Sequence, residues 1–103
     1  MNPSENLDRM AQAFIEQIEQ DQAAGLAALP EALRAVVAAT PDSYRGALLL
    51  AIDEYLNRPS QVSHLAGIQF GEVLGLLRAG CVLQVLTPEQ HTALGDFMVE
   101  VGP

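Results

Sequence analysis

The stretch GIQFGEVLG, residues 67–75, repeats glycine at every fourth position inside a segment with helical periodicity. Glycine is less favourable than alanine in a helix interior by about 1 kcal/mol, so three of them cost roughly 3 kcal/mol. On a helical wheel Gly67, Gly71 and Gly75 form one strip, which Ser63 extends toward the N-terminus. Small side chains let another helix backbone approach closely, and the resulting dispersion and Cα–H···O contacts offset that cost. The stripe therefore predicts a docking groove for a second helix.

Helix-start signals divide the rest of the chain into helical segments. Asn2, Thr40 and Thr87 each precede a proline, which suits the first turn of a helix, and Glu5 and Gln90 are placed to complete capping boxes. The residues CVLQVL, 81–86, have no second strand-like run to pair with and are interpreted as an apolar linker. The predicted helices run from Pro3 to about Gln22, from Pro30 through Val37, from Pro41 to Asn57, from about 60 to 79 with Gly80 as the stop, and from Pro88 to Gly102.

The apolar spacing within these segments predicts which faces are buried. In helix one, apolar residues recur at three- and four-residue steps, so this helix is expected to lie on the core. Helix four is apolar on two sides, which is typical of a central helix. We predict an all-α fold in one domain, residues 1–103: a compact bundle of four or five helices with the glycine-striped helix at its centre. The expected core residues include Leu7, Met10, Phe14, Ile15 and Ile18 of helix one and Leu94, Phe97, Met98 and Val101 of helix five.

Composition limits the classes of partner. Thirteen acidic residues face five arginines, and the formal charge of −8 opposes direct binding to nucleic acid or to an anionic membrane. One cysteine excludes an intramolecular disulfide, and no secretory signal is visible, so we expect a cytoplasmic protein. The alanine- and leucine-rich composition favours a bacterial source. A membrane-spanning fourth helix is disfavoured because His64, Glu72 and Arg78 lie within it.

The sequence contains no motif typical of a catalytic, metal or cofactor site. Neither His64 nor His91 has a metal-ligand partner three or four residues away, so no metal or cofactor is expected. Cys81 follows the predicted end of helix four, where the negative end of the helix dipole disfavours a thiolate nucleophile. Catalysis or ligand binding by His64, Arg78, Cys81 or His91 in the folded bundle remains an alternative hypothesis.

Two binding hypotheses follow from charge and position. His64 and Arg78 lie on the strip of the glycines and either grip a partner carboxylate or only solvate the ends of the groove. The acidic face of helix one, formed by Asp8, Glu16 and Glu19, either imitates DNA phosphates and inhibits a nucleic-acid-binding protein or only confers solubility.

A helix-turn-helix interpretation of residues 61–80 is weakened because Arg78 is the only basic side chain there apart from His64. The leading hypothesis is a small acidic cytoplasmic protein-binding module without catalytic activity, resembling an adaptor, antitoxin or inhibitor in its role. Surplus apolar surface favours a homodimer, and the partner is another protein, a second copy, or both. The predicted partner-binding residues are Ser63, His64, Gly67, Gly71, Gly75 and Arg78.

Overall fold

The computed structural model describes residues 2–102, and Met1 and Pro103, the two ends of the predicted domain, lie outside that range. The described residues form helices and connecting turns without a strand, so the prediction of an all-α fold is confirmed. The helices are α1 (Pro3–Ala27), α2 (Glu31–Ala38), α3 (Asp42–Asn57), α4 (Ser63–Val82) and α5 (Pro88–Val101).

Two of the three predicted capping side chains act as expected. The Asn2 side chain accepts a hydrogen bond from the Glu5 amide, and Thr87 with Gln90 forms a complete capping box at the start of α5. The prediction for Thr40 is wrong. The N-cap position of α3 is occupied by Pro41, and the buried Thr40 hydroxyl instead donates to the carbonyl of Val37 at 2.6 Å, beside the Thr40 amide, which donates to the same carbonyl.

Helices α3, α4 and α5 form an antiparallel unit around the core. The Tyr44 hydroxyl at the start of α3 donates to the carbonyl of Leu76 late in α4. At the other end of α3 the Tyr55 ring lies 5.3 Å from the Phe70 ring, which comes early in α4. The Tyr55 hydroxyl also donates to the carbonyl of Met98 in α5. The largest fully buried side chains are Leu48, Ile52, Leu77, Leu94, Met98, Val37 and Val73, and α3 supplies more buried residues than any other helix.

Glycine permits close approach inside the fold, and two of these positions decide where helices end. A Cβ on Gly25 would lie 2.2 Å from the Leu49 carbonyl oxygen, so α1 and α3 pack with almost no space between their backbones. Helix α1 therefore continues through Gly25 to Ala27, and the predicted end near Gln22 is wrong. A Cβ on Gly80 would lie 2.3 Å from the Tyr44 hydroxyl. Gly80 is a buried packing position inside α4 and not its stop.

The end of α4 is formed differently from the prediction. The helix includes the first two residues of the expected linker and ends at Val82. Two residues later Gln84 adopts a φ of 61°, the left-handed conformation that the prediction assigned to Gly80. The amides of Val85 and Leu86 then donate to the carbonyl of Gly80, which closes the turn into α5.

The prediction that all of α1 lies on the core is wrong. Leu7, Met10 and Phe14 are 63%, 62% and 67% exposed, Ile15 is 48% exposed, and Ile18 is the first half-buried apolar residue of the helix. The close contacts with α3 lie near the C-terminal end of α1, where Gly25 packs on Leu49 and the Ala24 carbonyl accepts from Asn57, whereas the 25-residue helix is about 37 Å long. The N-terminal half of α1 therefore projects beyond the bundle. In α5, Val101 is also exposed rather than buried, whereas Leu94 and Met98 are buried as predicted.

Projection of α1 makes the chain elongated. Its radius of gyration is 15.4 Å, against about 13 Å expected for a compact chain of 100 residues, and its longest dimension is 52 Å. In the part of the chain that the structure describes, α4 is the one helix long and apolar enough to cross a membrane, and only 17% of it is buried. Ten of the twenty residues of α4 are exposed, and the others are half-buried or buried.

Candidate docking surface

The candidate site is the outward face of α4, which comprises His64, Gly67, Gly71, Gly75 and Arg78. Val73 and Leu77 point into the core from the opposite side of this helix and are fully buried. Because a helix turns 100° per residue, the five residues of the outward face lie on the side away from those two. All five are exposed.

The glycines of the outward face are open to solvent. A Cβ placed on Gly67, Gly71 or Gly75 would meet no atom within 4 Å, in contrast to Gly25 and Gly80. Among the described residues, no other part of the chain uses the close approach that these glycines allow. The predicted docking of a helix on the stripe is therefore not made within this chain.

Two shallow apolar grooves border the outward face. The first, about 570 Å³, lies where α4 meets the end of α5 and is lined by Ser63, Gly67, Phe70 and Val99, among others. The second, about 370 Å³, lies between α3 and α4. It is lined by Ala47, Leu50, Ala51, Glu54, Glu72, Gly75 and Leu76. The glycine stripe thus connects one groove to the other across the surface of α4.

His64 and Arg78 lie at opposite ends of the outward face. Fourteen residues of helix separate them, which corresponds to about 21 Å along the axis, too far for both to hold one carboxylate. Within residues 2–102 neither side chain forms an ion pair. The two residues therefore mark the ends of a surface about four turns long. Glu72 and Glu54 line the α3/α4 groove beside it and give that side a negative charge.

The side chains with potential chemistry are used in packing. Burial raises the pKa of Tyr44 to about 12, with a smaller contribution from Cys81, and the Tyr44 hydroxyl is engaged with the Leu76 carbonyl. Burial also raises the pKa of Tyr55. Cys81 is half-buried, and its Sγ lies 3.8 Å from the carbonyl oxygen of Thr87. No hydrogen bond joins Cys81 to His91 in the described part of the chain, and no three metal-ligating side chains cluster there.

The acidic face of helix one is exposed, as a charged surface requires. Asp8, Glu16 and Glu19 are all solvent-accessible, and Gln12 donates to the Glu16 carboxylate. Residues 3–27 contain five acidic residues and one arginine, so the helix carries about one net negative charge per 9 Å. Duplex DNA carries about one charge per 1.7 Å, so this face is a sparse imitation of a phosphate backbone.

Sequence reasoning missed a second unpartnered surface on α1. This surface, the α1 stripe, consists of Leu7, Met10, Phe14 and Ile15, which the apolar periodicity assigned to the core. Their spacing identified the apolar face correctly but contained no information on which part of that face meets the bundle.

Comparison of the chain with protein-family models, with curated proteins and with solved structures gives no match.

Proposed function

We propose that this chain is a small acidic protein-binding module without catalytic activity, which docks a helix of a partner protein on the outward face of α4. One observation carries the proposal. Three glycines in the interior of one helix each cost about 1 kcal/mol, and no described atom of the chain approaches within 4 Å of the positions that their side chains would fill. Contact with another molecule is the gain that accounts for this cost.

The surface defines the chemistry of the partner. Backbone exposed at the glycines suits a helix with small side chains at its crossing point, since the axes then approach closely. The grooves on either side accept larger apolar side chains from the same helix. Glu54 and Glu72 favour a basic residue on the edge of the partner that covers the α3/α4 groove. These features support a protein partner of the kind that an adaptor, antitoxin or inhibitor binds.

The proposal includes a cytoplasmic location and excludes direct binding to nucleic acid. The single cysteine supports the location, because no disulfide forms within the chain, and the charge of −8 supports the exclusion, because it opposes phosphate backbones. We also propose that α4 does not cross a membrane. Gln69 on α4 supports this, because its side chain accepts a hydrogen bond from the Ser60 amide and donates one to the Arg58 carbonyl. These hydrogen bonds stabilise the turn between α3 and α4, which belongs to the bundle.

The test is affinity capture from nuclease-treated lysate with the wild type, Gly71→Leu and Gly95→Leu, followed by quantitative mass spectrometry. Gly71 and Gly95 are both helical glycines with open space around them, so both substitutions leave the fold intact. We expect a near-stoichiometric partner that Gly71→Leu loses and Gly95→Leu retains. Equal recovery of that partner by all three proteins would contradict a docking site on α4.

A further inference from the structure

We propose that a second copy of this chain covers the α1 stripe, and that the two α1 helices pair in antiparallel orientation about a two-fold axis. This surface is separate from the outward face of α4, so the dimer and the proposed partner complex can be present together. The N-terminal half of α1 is an amphipathic helix without tertiary contacts in its own chain. Helices of this length are marginal in water, and most helical stability in proteins comes from packing of the apolar face.

The surface area of the chain matches a missing dimer interface. The accessible surface is 6540 Å², whereas a folded monomer of 11.0 kDa exposes about 5,600 Å². The surplus of about 900 Å² is close to the roughly 800 Å² that each partner buries in an interface of standard size. Four of the eleven exposed large apolar side chains of the described residues lie next to one another on α1, where Leu7, Met10 and Phe14 are each more than 60% exposed.

The apolar face that carries the α1 stripe fits pairing with another helix. Along this face Leu7, Ala11, Phe14 and the half-buried Ile18 are separated by four, three and four residues, which is the spacing of a and d positions in a coiled coil, and Met10 and Ile15 flank this row. In an antiparallel pair, a positions face d positions. Leu7 then lies opposite Ile18 of the second copy, and Ala11 lies opposite Phe14, so a small side chain faces the largest ring in each central layer.

The positions of the two bundles select the antiparallel orientation. In an antiparallel pair the bundles lie at opposite ends of the paired helices, and the two helix dipoles are antiparallel, which is favourable. Glu5, Glu16 and Glu19 lie on the side of α1 away from Leu7 and Phe14, so they do not meet across the pair. Asp8 borders the apolar row, and in this register it lies level with Gln17 of the second copy, so no like charge opposes it.

Pairing of α1 with α1 of a second copy is favoured over pairing of α1 with α4 of a second copy. Pairing of α1 with the outward face of α4 on another copy joins two different patches, and such contacts continue into open polymers unless the rotation closes. Pairing of α1 with α1 uses one patch on both copies and closes after two chains. The pairing therefore accounts for the stripe without predicting aggregation.

The test is sedimentation equilibrium of the full chain, comparing the wild type with Phe14→Glu and Ala13→Glu. Both variants add one negative charge in the same turn, but Ala13 lies outside the stripe. We expect wild type and Ala13→Glu at twice 11.0 kDa at a loading of about 100 µM. Phe14→Glu should raise the dimer dissociation constant at least about 30-fold, as loss of a central apolar anchor does. A monomeric wild type, or a Phe14→Glu variant that dimerises as the wild type does, would overturn the pairing.

Cysteine cross-linking tests the orientation and leaves the two central layers of the interface, formed by Ala11 and Phe14, unchanged. In a Cys81→Ser background, Leu7→Cys together with Ile18→Cys should form interchain disulfides under mild oxidation, because these positions face each other. Leu7→Cys alone should not, because the two copies of residue 7 lie about 16 Å apart along the axis and a disulfide spans less than about 7 Å between Cα atoms. Cross-linking of Leu7→Cys alone would overturn the antiparallel register.

The proposed dimer and the proposed partner complex can be refuted independently of each other. Gly71→Leu should sediment as a dimer, and loss of the dimer in that variant would move the self-contact to α4 and overturn the assignment to α1. Partner capture by Phe14→Glu together with a monomeric mass for the wild type would overturn the α1 pairing alone and leave the function proposed for α4 in place.

Discussion

Replacing Gly67, Gly71 and Gly75 together by alanine should stabilise the isolated protein. Each position is inside α4, and each new methyl group enters open space because no atom lies within 4 Å. Alanine is favoured over glycine in a helix interior by about 0.8–1 kcal/mol, so the triple substitution should raise the free energy of unfolding by roughly 2–3 kcal/mol. The same methyl groups would keep a partner helix from approaching. We therefore expect a gain in stability coupled to a loss of partner binding.

Urea denaturation followed by circular dichroism at low micromolar concentration measures this gain. The midpoint should rise while the dependence on denaturant stays constant, because the surface exposed on unfolding hardly changes. At about 4–8 °C per kcal/mol for a domain of this size, Tm should rise by roughly 10–20 °C. Gly95→Ala on α5, where the space is also open, is the matched control and should give about 1 kcal/mol without affecting the partner. An unchanged or lowered midpoint in the triple variant would refute the reasoning, since it would mean that the glycines already serve the fold of the free protein.

Three further predictions concern the bundle, each measured by denaturant or thermal unfolding. Gly25→Ala should lower the free energy of unfolding by about 2–3 kcal/mol, because its methyl group would lie 2.2 Å from a backbone carbonyl that has little freedom to move. A variant as stable as the wild type would contradict the close packing of α1 on α3. Arg58→Ala should cost about 1–3 kcal/mol, since it leaves the buried carboxylate of Asp53 without its charged partner at 2.8 Å; an effect below 0.5 kcal/mol (about the limit for ordinary surface substitutions) would argue against that role. For Tyr44 the folded-state pKa is raised from 10.0 to about 12, so its contribution to stability is complete below pH 10 and is lost as the pH rises toward 12. Tyr44→Phe should therefore lower the free energy of unfolding at pH 7 by about 1 kcal/mol through the lost hydrogen bond. It should also reduce the loss of stability between pH 10 and 12, and an unchanged loss in the variant would assign that loss to other groups.

The sequence was sufficient to predict the helices but not which helix surfaces are covered. Capping residues and prolines located the starts of α1 and α5 because these signals act within one turn. Thr40 is not a cap because α3 begins one residue later, with Pro41 as the N-cap, and the Thr40 hydroxyl donates back to Val37 at the end of α2. Gly80 resembles a helix stop in the sequence, but the approach of Tyr44 from α3 requires a glycine there for packing, and Gln84 adopts the left-handed conformation instead.

The same limit applies to the candidate surfaces. The four-residue glycine spacing placed the three glycines on one strip of α4, and in the structure Val73 and Leu77 lie on the opposite, buried side. The sequence could not show whether the chain itself covers the stripe, because that depends on how α3 and α5 pack around α4. For α1 the periodicity identified the apolar face, but the place where α3 packs on α1, near Gly25, determines which part of that face is covered, and Phe14 lies outside it.

The most direct test of the central claim is site-specific photo-cross-linking in cells. A photoreactive amino acid at Ile68, which is 53% exposed beside the glycine stripe, reports any protein that lies on the outward face of α4, and the same probe at exposed Ala35 on α2 is the control. We predict a discrete adduct with another protein from position 68, absent at position 35 and lost when Gly71→Leu is added. No adduct from position 68, or an adduct that Gly71→Leu leaves unchanged, would contradict docking of a partner on α4.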